Sequence, residues 1–175
     1  MSAPMISIGQ LARRRVRLGF FFAAAVLYFA APTWRSLAAG AAVGLVGEAV
    51  RIWAAGHLEK SREVTSSGPY RFTRHPLYLG SSIMALGVAV GCRSVIATVL
   101  VVVYMTLTLV AAIRTEEAFL RERFGDAYDA YAEARGPRVE RRFSFERAWR
   151  NREYRALGGL ALFLCLLVVR MWFGH

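Results

Sequence analysis

Residues 68–80 read Gly-Pro-Tyr-Arg-Phe-Thr-Arg-His-Pro-Leu-Tyr-Leu-Gly, a run able to hold a charged ligand. Gly68-Pro69 forces a turn. Pro76 suits the first turn of a helix, where its missing N–H costs nothing. Arg74 and His75 then stand at that helix's N-terminus, beside free backbone N–H groups and the positive end of its dipole. A carboxylate or phosphate is favoured there. Tyr78, one turn on, can bring its hydroxyl to the same pocket. The plainer alternative is a helix start with interfacial anchors.

Two acidic features accompany this run. Glu116 and Glu117 follow Arg114-Thr115 at the end of an apolar block. Carboxylates at a helix C-terminus are unfavourable in isolation and need a positive partner, such as Arg74, His75 or a bound cation. Neighbouring residues point about 100° apart, so the two cannot face one ligand equally. Glu48 and Arg51 are three apart, on one helix face inside another apolar block. Charges at that depth pair with each other or face a polar cavity. A structural ion pair and a functional site are both open readings.

The elements that position these residues are membrane helices. Hydrophobic residues make up 56% of the 175 and charged residues only 20%, and the apolar residues come in long blocks separated by arginines. That distribution predicts an all-α integral membrane protein, a bundle of about five transmembrane helices plus a cytoplasmic amphipathic helix. The chain reads as one membrane domain, 1–175. Its expected spans are about 18–34, 37–56, 76–92, 95–113 and 156–173, with cytoplasmic connections at 57–75 and 114–155. The first span is short, and Val16 and arginine stems extend it. It reads as a retained span, since no small-x-small cleavage site follows it.

Within 114–155, Phe119, Leu120, Phe124, Tyr128 and Tyr131 recur at near-helical spacing, which predicts the amphipathic helix. Gly40, Gly44 and Gly47 allow close helix contact, expected within this chain rather than between copies. Cys92 and Cys165 lack a CxxC partner and read as packing residues, with no metal motif.

Charge fixes the expected orientation. Net charge is +11, from 22 Arg and Lys60 against 12 acidic residues. Residues 1–17, 57–75 and 114–155 carry nineteen basic residues, whereas the opposite connections hold only Arg35 and Arg93. The positive-inside rule puts the N-terminus in the cytoplasm and the C-terminus outside an inner membrane. Arginines flanking spans and meeting anionic headgroups account for the charge, so nucleic acid is not an expected partner. Every polar feature above falls at a cytoplasmic helix end, so all can converge on one pocket.

The pattern Gly-Pro-Tyr-x-x-x-Arg-His-Pro-x-Tyr-x-Gly, followed about forty residues later by Glu-Glu-x-x-Leu-x-x-x-Phe-Gly-x-x-Tyr-x-x-Tyr, resembles the isoprenylcysteine carboxyl methyltransferase family. Related membrane phospholipid methyltransferases share much of it. The likeness runs from about Arg51 to Pro137 and includes Arg-x-Trp-Ala at 51–54. It implies an S-adenosylmethionine-dependent methyltransferase without a Rossmann domain, acting on a lipophilic small-molecule or lipid acceptor that enters from the bilayer. Gly68, Tyr70, Arg74, His75, Pro76, Tyr78, Glu116 and Glu117 would line the cofactor site. Arg51, Glu117 and Arg135 are the candidates for a direct part in catalysis. Tyr128, Tyr131 and Arg135 would belong to the cytoplasmic helix that closes the site.

The chain departs from the family where a second proline is expected after Pro137 and in having a further span after the motif. Both bear on acceptor access. A carboxylate acceptor would need no general base, whereas an amine would have to be neutral. A phospholipid amine acceptor is the first alternative. Membrane sterol reductases that use NADPH are a second, since they carry a similar Arg-His-Pro-x-Tyr segment. Theirs typically has Asn at x and an acidic residue after the Gly, where this chain has Leu77 and Ser81. A non-catalytic membrane protein is the third. A transporter would be expected to show paired repeats, and none is evident.

Overall fold

The structure is a computed structural model and describes residues 8–60, 62–136 and 140–173. Pro137 and the side chains of Arg13, Arg14, Arg15 and Arg17 lie outside what is described. Among these described residues, seven α-helices and one 3-10 turn follow in order. They are α1 (Ile8–Phe29), α2 (Trp34–Ala55), the turn Gly68–Arg71, α3 (Pro76–Cys92), α4 (Val95–Phe124), α5 (Asp126–Ala132), α6 (Phe145–Arg150) and α7 (Tyr154–Phe173). There is no strand among the described residues.

Local chemistry sets the helix ends. Thr33 and Ser36 form a capping box at the start of α2, with Thr33 N–H donating to Ser36 Oγ at 2.9 Å. The Ser36 hydroxyl is also 3.1 Å from the Gly91 carbonyl, which ties this end to the close of α3. Pro76 opens α3, and Ser94 caps α4 by accepting from Ala97 N–H.

The chain is an integral membrane protein. α2, α4 and α7 are each long and apolar enough to cross a bilayer, and Leu18–Phe29 and Pro76–Cys92 are shorter apolar helices. Large apolar side chains point outward along the bundle, among them Phe20, Phe21, Val102, Leu107 and Leu162. In water such a surface would aggregate; in lipid it is solvated.

The closest helix pair is α2 with α3. A Cβ on Gly44 would meet Leu160, but one on Gly47 would lie 2.6 Å from the Gly80 carbonyl oxygen, and one on Gly87 2.5 Å from Gly44 N. Only bare backbone permits this approach, so the small residues of α2 are used within the chain. A compact core of Val26, Leu37, Cys92, Ala97, Val101 and Leu167 fills the half of the bundle farther from the His75 end. Cys92 is buried there, whereas Cys165 is exposed.

Two features position the polar end. α4 has 30 residues, about 45 Å, against a hydrocarbon core of about 30 Å. Its last turns, bearing Glu116 and Glu117, therefore project past the apolar stretch that ends at Ile113. The expected amphipathic segment forms, but in two pieces. Gly125 has φ 48° and breaks it, so Phe119, Leu120 and Phe124 finish α4 while Tyr128 and Tyr131 turn back in α5.

Candidate functional site

The turn at Gly68–Arg71 is held by the shape of its first residue. Gly68 has φ +58°, and a Cβ there would fall 2.6 Å from the His57 ring. The turn delivers Tyr70 inward, and the N-terminus of α3 follows. Between this segment, the connection after α2, the projecting end of α4, and α5 lies a cavity of about 580 Å³, within the range of small-molecule sites. Tyr70, Arg74, His75, Pro76, Tyr78 and Glu116 are on its wall, with Tyr128 and Tyr131 closing one side.

The two acidic neighbours of α4 separate. Glu116 lines the cavity, and Glu117 does not. Glu117 instead sits behind the wall and collects its cations. His75 Nε2 is 3.0 Å from Glu117 Oε1, and Arg74 and Arg121 each approach to 3.6 Å. A carboxylate only accepts, so this His75 nitrogen carries the proton. The His75 hydrogen bond, joined by the charge of Arg74, holds the Glu117 carboxyl below its ordinary value.

The tyrosines supply neutral polar groups. Burial pushes the Tyr131 phenol up to about 12 and holds those of Tyr70 and Tyr128 above their ordinary values. The Tyr131 hydroxyl donates to the Tyr70 carbonyl at 2.9 Å and locks α5 to the turn. Tyr128 is 1% exposed, and its hydroxyl has no hydrogen-bond partner among the described residues. A buried polar atom left so on a cavity wall is suited to a ligand.

A second cavity, of about 690 Å³, lies inside the bundle between α1, α3, α4 and α7. Its wall is apolar for most of its length: Phe22, Val26, Met84, Ala85, Leu109 and Leu160 are on it. Arg51, Tyr78 and Ser81 stand at one end, and Tyr104 and Thr108 add hydroxyls elsewhere on the wall. Tyr78 and Ala112 line both cavities, so the two share a wall.

Arg51 is fixed by α3 and by the connection just ahead of α7. Its Nη1 donates to the Leu77 carbonyl at 3.3 Å and to the Ser81 hydroxyl, and its Nη2 donates to Glu153 Oε2 at 2.8 Å. Glu48, the partner that helix spacing suggests, is 3.9 Å from Arg51 Nε and 2% exposed, and neither of its oxygens has a hydrogen-bond partner among the described residues. The nearer carboxylate thus comes from just ahead of α7.

Besides Glu117, Gly68 and Arg135 also line neither of these cavities. Gly68 shapes the turn without lining either cavity. Arg135 is turned outward, its side chain 73% exposed and paired with Glu133, because the chain closes on itself after α5 through Gly136 N–H to the Ala130 carbonyl. Sequence reasoning missed Glu153, Glu59 and Glu63. Only Glu59 and Glu63 offered a signal, as charges beside Lys60 in the first polar connection.

Fold and site define an all-helical membrane protein with a polar chamber at one membrane face and an apolar chamber in the bundle. The phospholipid methyltransferase family model matches residues 20–127, and the chain belongs to that family. It is 32% identical over 106 residues to nickel-cobalt-cadmium resistance protein NccN of Alcaligenes xylosoxydans xylosoxydans, covering 57% of this chain and 49% of that one. It is 33% identical over 87 residues to cobalt-zinc-cadmium resistance protein CzcN of Cupriavidus metallidurans, covering 49% and 39%. It is 35% identical over 72 residues to the protein-S-isoprenylcysteine O-methyltransferase of Schizosaccharomyces pombe, covering 41% and 30%. The chain thus matches half or less of the length of these relatives. No solved structure matches it.

Proposed function

We propose that this chain transfers a methyl group from S-adenosylmethionine to a lipophilic acceptor, in the manner of the isoprenylcysteine carboxyl methyltransferases. The observation that carries this reading is the shared wall: a polar cavity and an apolar one meet at Tyr78 and Ala112. A polar donor and a lipophilic acceptor need such an arrangement, because their reacting atoms must meet while the remainder of each stays in its own solvent.

The residues fit the cofactor. Its amino-acid end carries both charges, and the polar cavity offers Arg74 and Lys60 for the carboxylate and Glu116 for the amine. Phe119, Tyr128 and Tyr131 provide ring faces for a purine, and the unpartnered Tyr128 hydroxyl offers a hydrogen bond. When bound, S-adenosylmethionine supplies an activated methyl on a positively charged sulfur. Glu117 holds Arg74 and His75 in place from behind. The apolar chamber shields the acceptor from water, and Arg51, clamped by Glu153, marks its reacting end.

Acceptor chemistry follows from what that chamber lacks. Among the described residues its wall bears no Asp, Glu, His or Lys. An ammonium acceptor would find no base there, whereas a carboxylate needs none and is attracted by Arg51. The excess of basic residues on the connections supports a site at the cytoplasmic face of the inner membrane.

The test uses membranes containing the protein and S-adenosylmethionine labelled on its methyl group. Label is expected in the organic extract, in a product that alkali hydrolyses, as an ester would be. Alkali-stable label would point to an amine acceptor, and unlabelled extract from every membrane lipid source would count against methyl transfer.

A further inference from the structure

Residues 140–155 lie beyond the family match, and none of them lines either of the two cavities, although Glu153 holds Arg51. Their placement is well fixed. Asn151 Nδ2 donates to the Ala55 and Leu58 carbonyls at 2.9 and 3.0 Å, covering the open end of α2. The Trp149 ring lies 4.7 Å from that of Tyr154, in the first turn of α7. α6 is thus pinned between the polar ends of two apolar helices, at the level where the chain leaves hydrocarbon.

The outward side of this segment has a consistent chemistry. Phe145 is 76% exposed and Trp149 69% exposed, four residues apart and so on one face of α6. Phe143 stacks edge-on against Phe145 at 4.7 Å. Arg142, Arg152 and Arg155 are exposed, with no carboxylate partner among the described residues, and outnumber Glu146, the exposed carboxylate of α6. Further inward, Arg147 and Arg150 crowd onto Glu59 at 2.9 and 3.0 Å, and Arg141 pairs with Glu63 at 2.7 Å while standing 3.5 Å from Glu59. These two carboxylates are consumed by three guanidiniums, which leaves positive charge uncancelled. Burial pushes the Glu59 carboxyl up, but the Arg147 hydrogen bond and the neighbouring guanidiniums outweigh it and hold it low.

We infer that this surface binds anionic phospholipid headgroups in preference to neutral ones. The rings enter the boundary between headgroups and acyl chains, and Arg142, Arg152 and Arg155 meet the lipid phosphates. Zwitterionic lipid would satisfy the rings equally well but would leave the net charge unbalanced. The inference stands whether or not the chain transfers methyl groups.

The test uses the full chain with Trp34, Trp53 and Trp172 replaced by Phe, so that Trp149 is the only tryptophan. It is reconstituted in phosphatidylcholine vesicles with a minor fraction of phosphatidylglycerol. Bromine is placed on the acyl chains of the phosphatidylglycerol or of an equal amount of the phosphatidylcholine. Brominated phosphatidylglycerol is expected to quench Trp149 about threefold more strongly. The preference should vanish in the variant that also carries Arg142→Gln, Arg152→Gln and Arg155→Gln. Equal quenching by the two lipids, or a preference that survives the arginine changes, would overturn the inference.

A second measurement avoids the tryptophan changes. Lipid retained by the otherwise native chain after mild detergent extraction from mixed vesicles is counted by mass spectrometry. Enrichment in phosphatidylglycerol that the arginine changes remove supports the surface, and retention in the bulk ratio overturns it.

Discussion

Glu117 shows how one side chain can organise a site whose wall it does not join. It holds His75 and Arg74 while Glu116, one residue back, faces the cavity. Glu117→Gln should weaken S-adenosylhomocysteine binding roughly tenfold, through loss of a charge-assisted hydrogen bond, and a titration reads this directly. Its pH dependence has a defined sign. The folded carboxyl lies below the ordinary value of 4.5, so its stabilisation is fully present above that value and fades as pH falls through the lower one. Wild-type melting temperature should therefore drop more steeply than that of Glu117→Gln as pH falls below the ordinary carboxyl value of 4.5. The sequence marked the pair and stated that both could not face one ligand, but which one turns away depends on the rotation of α4 against α3. Arg135 points away from the cavities for a similar reason, since its direction is set by the chain reversal at Gly136. Glu153 lies 102 residues from Arg51, and no local pattern links them.

At the scale of elements, the α2–α3 contact carries the geometry of the site. These helices hold Arg51 and the His75–Tyr78 turn at opposite sides of one interface, and the glycines set its separation. Gly47→Ala would place a methyl 2.6 Å from the Gly80 carbonyl oxygen, an overpacking that should cost about 1–3 kcal/mol. A thermal melt in detergent checks this, and an unchanged melting temperature would mean that the helices separate freely. Block hydropathy made the helices and their order legible, and the glycine spacing made the intrachain contact legible. The break at Gly125 was less so. The apolar period continues across it, and only the positive φ of that residue ends the helix.

Taken whole, the bundle is packed in one half and hollow in the other. The core around Cys92 and Leu167 closes the apolar cavity at one end, and Arg51, Ser81 and Tyr78 close it at the other. No sequence period records a void, so this chamber was not legible beforehand, although the family likeness implied an acceptor site. Ala85→Phe should fill it. Labelled methyl transfer should then fall about tenfold or more while S-adenosylhomocysteine affinity stays unchanged, which would separate the two chambers. The measurement that bears most directly on the whole is calorimetric titration of the detergent-purified protein with S-adenosylhomocysteine, with NADPH run in parallel. Wild-type protein should bind S-adenosylhomocysteine at about micromolar concentration, near −8 kcal/mol, and should not bind NADPH. Binding of NADPH alone, or of neither ligand, would contradict a methyltransferase site at the end of this bundle.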